Sequence, residues 1–97
     1  MTLAELVANL ETLDDDLTIY IGAERPWRSS SVAVVLQEPD DGSLPEGAEN
    51  MEYFLEVTLA KDVLSVWQKW RNGRTPSVQE KCEAIIHYAE NDAYLSD

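Results

Sequence analysis

Apolar residues in this chain keep a helical period at both ends and a period of two between them, and this change of period restricts the fold more than any other feature. Near the start, Leu3, Leu6, Val7, Leu10 and Leu13 recur at three- and four-residue steps and so line one face of a helix. Thr2 and Glu5 have the spacing of a capping box: a hydroxyl at Thr2 accepts from an orphan N–H while Glu5 reaches back, which sets the helix start. Three adjacent carboxylates, Asp14, Asp15 and Asp16, repel one another and predict a solvated turn, so the helix stops before Asp14. Leu17, Ile19 and Ile21 then alternate with Thr18 and Tyr20, the pattern of a short strand. Residues 22–31 read as a loop with Trp27 as its one large apolar side chain. The run of Val and Leu at 32–37 predicts a second strand buried on both faces.

Residues 38–50 hold two Pro and two Gly among acids and must form a long connection. A third strand is expected at 53–59, with Tyr53, Leu55, Val57 and Leu59 on one side and Phe54, Glu56 and Thr58 on the other. Past Ala60 the helical period returns in Val63, Val66, Trp67 and Trp70, with Gly73 as the cap, and both Trp rings fall on the stripe that must cover the sheet. Thr75 is expected to cap a third helix with Pro76 at its first position and Val78, Cys82, Ile85, Ile86 and Ala89 facing the core. The order is α, β, β, β, α, α. Three short strands need covering helices to bury enough apolar surface, so the expected fold is a single α+β domain over residues 1–97: a three-stranded, mainly antiparallel sheet with helices on one face.

The chain has 97 residues, 44% of them hydrophobic, which is enough for one core and too few for a second domain. Nineteen acids against seven bases leave a net charge of -12. Nucleic acid is therefore not expected as a direct ligand, because phosphate binding needs Lys and Arg to displace counterions. One Cys and one His exclude an internal disulfide and the usual structural zinc sites, and no cofactor or metal is expected. A cytoplasmic protein with no membrane contact is the expectation, since no apolar run reaches the ~18 residues of a span.

Charge is concentrated in the first part of the chain. Residues 1–59 carry thirteen acids and two bases, a balance of -11, while residues 60–97 carry six and five, a balance of -1. Glu38, Asp40, Asp41, Glu46, Glu49, Glu52 and Glu56 follow one another with no base between them. Net negative charge of this kind keeps a small protein soluble. It also makes a docking face for a basic partner, speeding encounter at the cost of self-repulsion in the free protein. Trp27 sits beside Arg25 and Arg28 with no periodicity to commit it to the core. It either plugs the core edge or anchors an interface, and Trp27 with Arg28 is the expected apolar contribution to partner binding. The two loops are expected at opposite ends of the second strand, about 20 Å apart at ~3.3 Å per residue.

No catalytic constellation emerges. Cys82 and His87 lie about 140° apart around one helix at ~3.6 residues per turn and cannot act as nucleophile and base. A calcium loop starting at Asp14 would need Gly at its sixth position and Glu at its twelfth, where Ile19 and Arg25 stand. Enzyme activity is not expected.

The opening Leu3-Ala-Glu-Leu6 leading into Leu13-Asp-Asp-Asp16, the segment Tyr53-Phe54-Leu55-Glu56-Val57 and the ending Tyr88-Ala-Glu-Asn-Asp-Ala-Tyr94 resemble a family of small acidic bacterial proteins associated with toxin-immunity and related inhibitory contexts. The resemblance implies a protein-binding role and carries over no catalytic residue. Together with the charge map it leads to the expectation of an immunity-type inhibitor that masks a basic partner, a nuclease toxin or a nucleic-acid-binding defence complex. The alternative is a phage decoy whose carboxylates imitate DNA phosphates, as in anti-CRISPR or anti-restriction proteins. Oligomeric state is left open.

Overall fold

The computed structural model describes residues 1–96. Helix α1 spans Leu3–Ala8, and its start is the expected one: Thr2 Oγ1 accepts from the Glu5 N–H while the Glu5 carboxylate accepts from the Thr2 N–H. The apolar stripe continues through a separate 3-10 turn at Leu10–Thr12, so Leu10 is buried without belonging to α1. Strands β1 (Thr18–Gly22), β2 (Ala33–Leu36) and β3 (Met51–Glu56) follow, then α2 (Val57–Lys69) and α3 (Val78–Asn91). The strands form one antiparallel sheet in the order β2-β1-β3, and the α+β architecture is as expected.

Ile19, Ile21, Ala33 and Leu55 point to the helical side and join Leu3, Leu6, Val7, Ala60, Val63, Trp67, Cys82 and Ile85 in the core. Burial of each large aliphatic side chain there contributes about 1.5–3 kcal/mol. Helix α1 packs on α3 and β2, while α2 packs on α3 and β3.

Several expectations change. Strand β2 is not buried on both faces: it is an edge strand, with Val34, Val35 and Leu36 only half-buried, and the central, doubly covered strand is β1. Strand β3 ends at Glu56, and Val57 is already helical. Val57, Ala60, Val63, Leu64 and Trp67 make one buried helical stripe, which outweighs the period of two that also passes through Val57. Within β3 the register shifts, with Ile19 opposite Leu55 but Tyr20 opposite Tyr53, so Phe54 is an extra residue in a bulge. Phe54 and Leu55 are therefore both buried, and strict alternation fails.

Helix α2 stops at Lys69. Asn72 and Gly73 both take positive φ, and the Gly73 N–H closes the end on the Gln68 carbonyl at 2.7 Å. Trp70 lies past the last helical residue and is 56% exposed, with only Trp67 of the pair in the core. Helix α3 is capped by Ser77 rather than Thr75, through a second capping box with Glu80, which leaves Pro76 before the helix and turns Val78 to solvent.

The connection over residues 37–50 has a topological cause. Strands β2 and β3 both run antiparallel to β1 and hence parallel to each other, one on each side of it. Such a pair needs a crossover of about a dozen residues or more. It leaves β2 at Leu36, opposite Thr18, and enters β3 at Met51, opposite Gly22, so it traverses the sheet and reaches both ends of β1. The expected separation of the acidic loop from the Trp27 loop thus holds only at the start of the connection. Gly47 shows its path: with φ at 101° it lies against Leu36, where an added Cβ would come within 3.3 Å of a methyl carbon. Tyr20 and Ala48 are both buried outside the helix-side core, and Tyr20 meets Tyr53 edge to face at 6.4 Å.

Candidate functional site

The register of the sheet brings distant acids together. Thr18 is opposite both Leu36 and Glu56, so the turn before β1, the start of the crossover and the β3–α2 junction converge at one end of the sheet. There they enclose an open cleft of about 530 Å³ lined by Asp15, Asp16, Glu38, Asp40 and Glu56, with no basic residue in its wall. Asp15 alone is paired, to Lys61 Nζ at 2.7 Å, and Lys61 also donates to the Leu13 carbonyl. Among the described residues, no three Asp, Glu, His or Cys side chains are grouped closely enough to hold a metal ion. The carboxylates are spread around a rim, a layout suited to several separate cations on a partner surface.

The expected acidic residues divide into three groups. Glu38 and Asp40 lie in the cleft. Asp41, Glu46 and Glu49 are exposed along the crossover, where Asp41 accepts from the N–H and hydroxyl of Ser43 and Glu49 accepts from the Gly47 N–H. These hydrogen bonds hold the Asp41 and Glu49 carboxyls below the usual carboxylate range and tie their side chains to the loop. Glu52 is the exception to the unneutralised run: Arg25 reaches across from the Trp27 loop and clasps it through two hydrogen bonds of 2.9 and 3.2 Å. That pairing lowers the Glu52 pKa and neutralises its charge. Glu38 lies within electrostatic reach of the outer face of the sheet, where burial first and the Glu38 charge second raise the Tyr20 hydroxyl pKa.

Asp15 and Asp16 belong to the cleft although their sequence context marks only a turn, and Glu56 joins them from the far end of the acidic run. The signal that would have found them is the strand order: a crossover placed around a central first strand puts residues 15–18, 36–38 and 56 side by side.

Trp27 is committed to the core edge on one side. Its indole N–H donates to the Gly22 carbonyl at 3.0 Å, its ring meets Phe54 edge to face at 5.1 Å, and the Arg25 guanidinium covers it at 3.7 Å. The other side of Trp27, with Arg28, lines a cleft of about 400 Å³ against α3, where Cys82, Glu83, Ile86 and His87 form the opposite wall. Cys82 is a free, buried thiol, pushed up to about 11 by burial and the nearby Glu83 charge, which makes it a poor nucleophile. Trp27 and Arg28 are thus together, but the α3 cleft and the acidic cleft share no lining residue.

Fold and charge together define a small acidic α+β domain with five carboxylates around a cleft at one end of its sheet. The chain belongs to the family described as a domain of unknown function, DUF7716, which matches residues 1–96. No curated protein and no solved structure matches it. Among the described residues, no helix is long and apolar enough to cross a membrane.

Proposed function

We propose that this protein is a stoichiometric inhibitor of the immunity type, working in the cytoplasm, whose acidic cleft and crossover cover the basic surface of a nucleic-acid-handling protein. The observation that supports this reading is the convergence of Asp16, Glu38, Asp40 and Glu56 around one cleft with no base in its wall. Like charges held together repel one another in the free protein, and a basic partner relieves that repulsion. The partner's Lys and Arg side chains, which would otherwise contact phosphates, fit a rim of separated carboxylates.

The test uses the wild-type protein as immobilised bait beside a variant carrying Asp16→Asn, Glu38→Gln, Asp40→Asn and Glu56→Gln. A basic protein retained by the wild type, released at high salt and not retained by the variant is expected, and its nucleic-acid activity should be blocked at a one-to-one ratio. Equal retention by both baits removes the reading. The phage-decoy reading draws on the same charges and gains from the anchoring of Asp41 and Glu49, because imitation of phosphates requires carboxylates that hold their places. Competition by duplex DNA for the same partner site, in a partner belonging to a host defence complex, distinguishes the decoy from the immunity protein.

A further inference from the structure

Strand β2 has a free edge that the chain itself begins to use. The Gly22 N–H donates to the Val32 carbonyl at 2.9 Å, which marks Val32 as bonded toward β1. By the alternation of an antiparallel ladder Val34 and Leu36 also bond toward β1, while Ala33 and Val35 turn their main-chain groups outward. The Ala33 N–H agrees with this, since it donates away from the sheet to the Met1 carbonyl at 2.8 Å, and Thr2 forms an isolated bridge to Val32. The first residues of the chain therefore add a short stretch of extended backbone along half of the β2 edge. The other half, at Val35, has no hydrogen-bond partner among the described residues.

Three further features surround this half-edge. Residues Ala33–Leu36 contain no charge or Pro, the devices that usually blunt an exposed edge, and the neighbouring Val32 is 59% exposed. Beside Val35, on the helical side, an apolar groove of about 310 Å³ opens between α1 and β2, walled by Met1, Leu6, Leu13 and Leu17. Beyond the end of the strand, the chain turns into the crossover at Glu38, which shares the acidic cleft with Asp16 from the turn before β1.

We infer that the β2 edge at Val35 is a strand-addition site for an extended segment of the basic partner, in which apolar and basic residues alternate. Paired residues in a sheet share a face, so the residue opposite Val35 sends its side chain into the apolar groove, and its neighbours emerge on the face nearest Glu38. The charge of the surroundings selects that occupant: a basic segment meets opposite charge, whereas a second copy of this chain brings another net charge of -12. The run of Val and Leu in β2, more apolar than a half-exposed edge requires, fits a strand that is covered in its working state. The inference rests on the docking-face reading for the charge of the partner, and on the β2 edge alone for the mode of binding.

A short capped peptide of alternating lysine and valine serves as the probe, read by amide hydrogen exchange and by titration. Two versions of identical charge are compared with it, one N-methylated on its valines and one on its lysines. In the proposed register, antiparallel to β2, every valine N–H faces β2 and every lysine N–H faces solvent. The peptide is expected to slow exchange at the Val35 amide. Methylation of the valines should weaken binding about tenfold or more, and methylation of the lysines should leave it unchanged. Equal binding of both methylated peptides, or unchanged exchange at Val35, overturns the inference. So does a Val35 amide already protected in the free protein with the mass of two copies, which assigns the edge to self-association. If the methylation pattern holds while the four-carboxylate variant still retains its basic partner, the docking-face reading falls and strand addition stands. If the pattern fails while the variant loses its partner, strand addition falls and the docking face stands.

Discussion

The two Trp residues near the end of α2 show how one position decides the role of a side chain. Trp67 is buried against the core with Arg71 and Arg74 over its ring at 4.2 and 4.7 Å, whereas Trp70, three residues later, meets Tyr94 edge to face at 5.9 Å and stays exposed. Trp67→Ala is expected to cost about 3–5 kcal/mol and Trp70→Ala under about 1 kcal/mol, as chemical denaturation of the two variants will show. The spacing alone places both rings on one stripe. It cannot show that the helix ends between them, because that depends on Asn72 and Gly73 taking left-handed conformations. Cys82 gives a second expectation at this scale. Its thiol pKa is about 11 in the folded protein against 9.0 ordinarily, so the unfolded chain releases the proton first. Its contribution is fully present below pH 9 and is lost as pH rises toward 11. A flatter stability profile in Cys82→Ala over that interval, measured by urea melts at successive pH values, checks the sign.

At the scale of elements, a hydroxyl and a carboxylate three residues apart mark two helix starts, of which only the first was expected. Thr2 with Glu5 sets α1, and the equivalent pair at α3 is Ser77 with Glu80 rather than the more conspicuous Thr75–Pro76. Ser77→Ala is expected to cost about 1 kcal/mol and Thr75→Ala close to nothing, by thermal melts of the two proteins side by side. Strand identities were also legible, since each carries its own run of alternating or β-branched residues. Strand order was not: the apolar run of β2 describes a buried strand, and only tertiary pairing puts β1 in the middle. The Phe54 bulge was hidden for a related reason, because an extra residue is defined by the partner strand and not by its own sequence. Of the candidate site, Glu38 and Asp40 could be named in advance. Glu56 belonged to the same acidic run, but Asp16 did not, and the proximity of the two follows from that hidden order.

For the whole molecule, charge acts on stability and on association in opposite senses. Self-repulsion among a net charge of -12 weakens as the Debye length falls from ~10 Å at 0.1 M salt to ~3 Å at 1 M, so the melting temperature should rise with salt. Association with a basic partner should slow over the same range. Neutralising Asp16, Glu38, Asp40 and Glu56 together should imitate salt on both counts, giving a more heat-resistant protein that binds more slowly. A melting temperature that falls on neutralisation would show that these carboxylates hold the fold together and do not strain it.

The crossover over residues 37–50 separates the chain into two parts that are interleaved in space. Residues before it supply β1 and β2; residues after it supply β3, α2 and α3, and the longest strand pairing, β1 with β3, joins the two parts, as does the packing of α1 on α3. A single proteolytic nick near the exposed Leu44 should therefore leave a folded, two-piece protein that comes apart only in denaturant. Expressed separately, the two pieces should stay unfolded and regain structure only when mixed. Glu38, just past the end of β2, and Glu56, at the end of β3, would then reside on different polypeptides, and the acidic cleft would become a reporter of their reassembly.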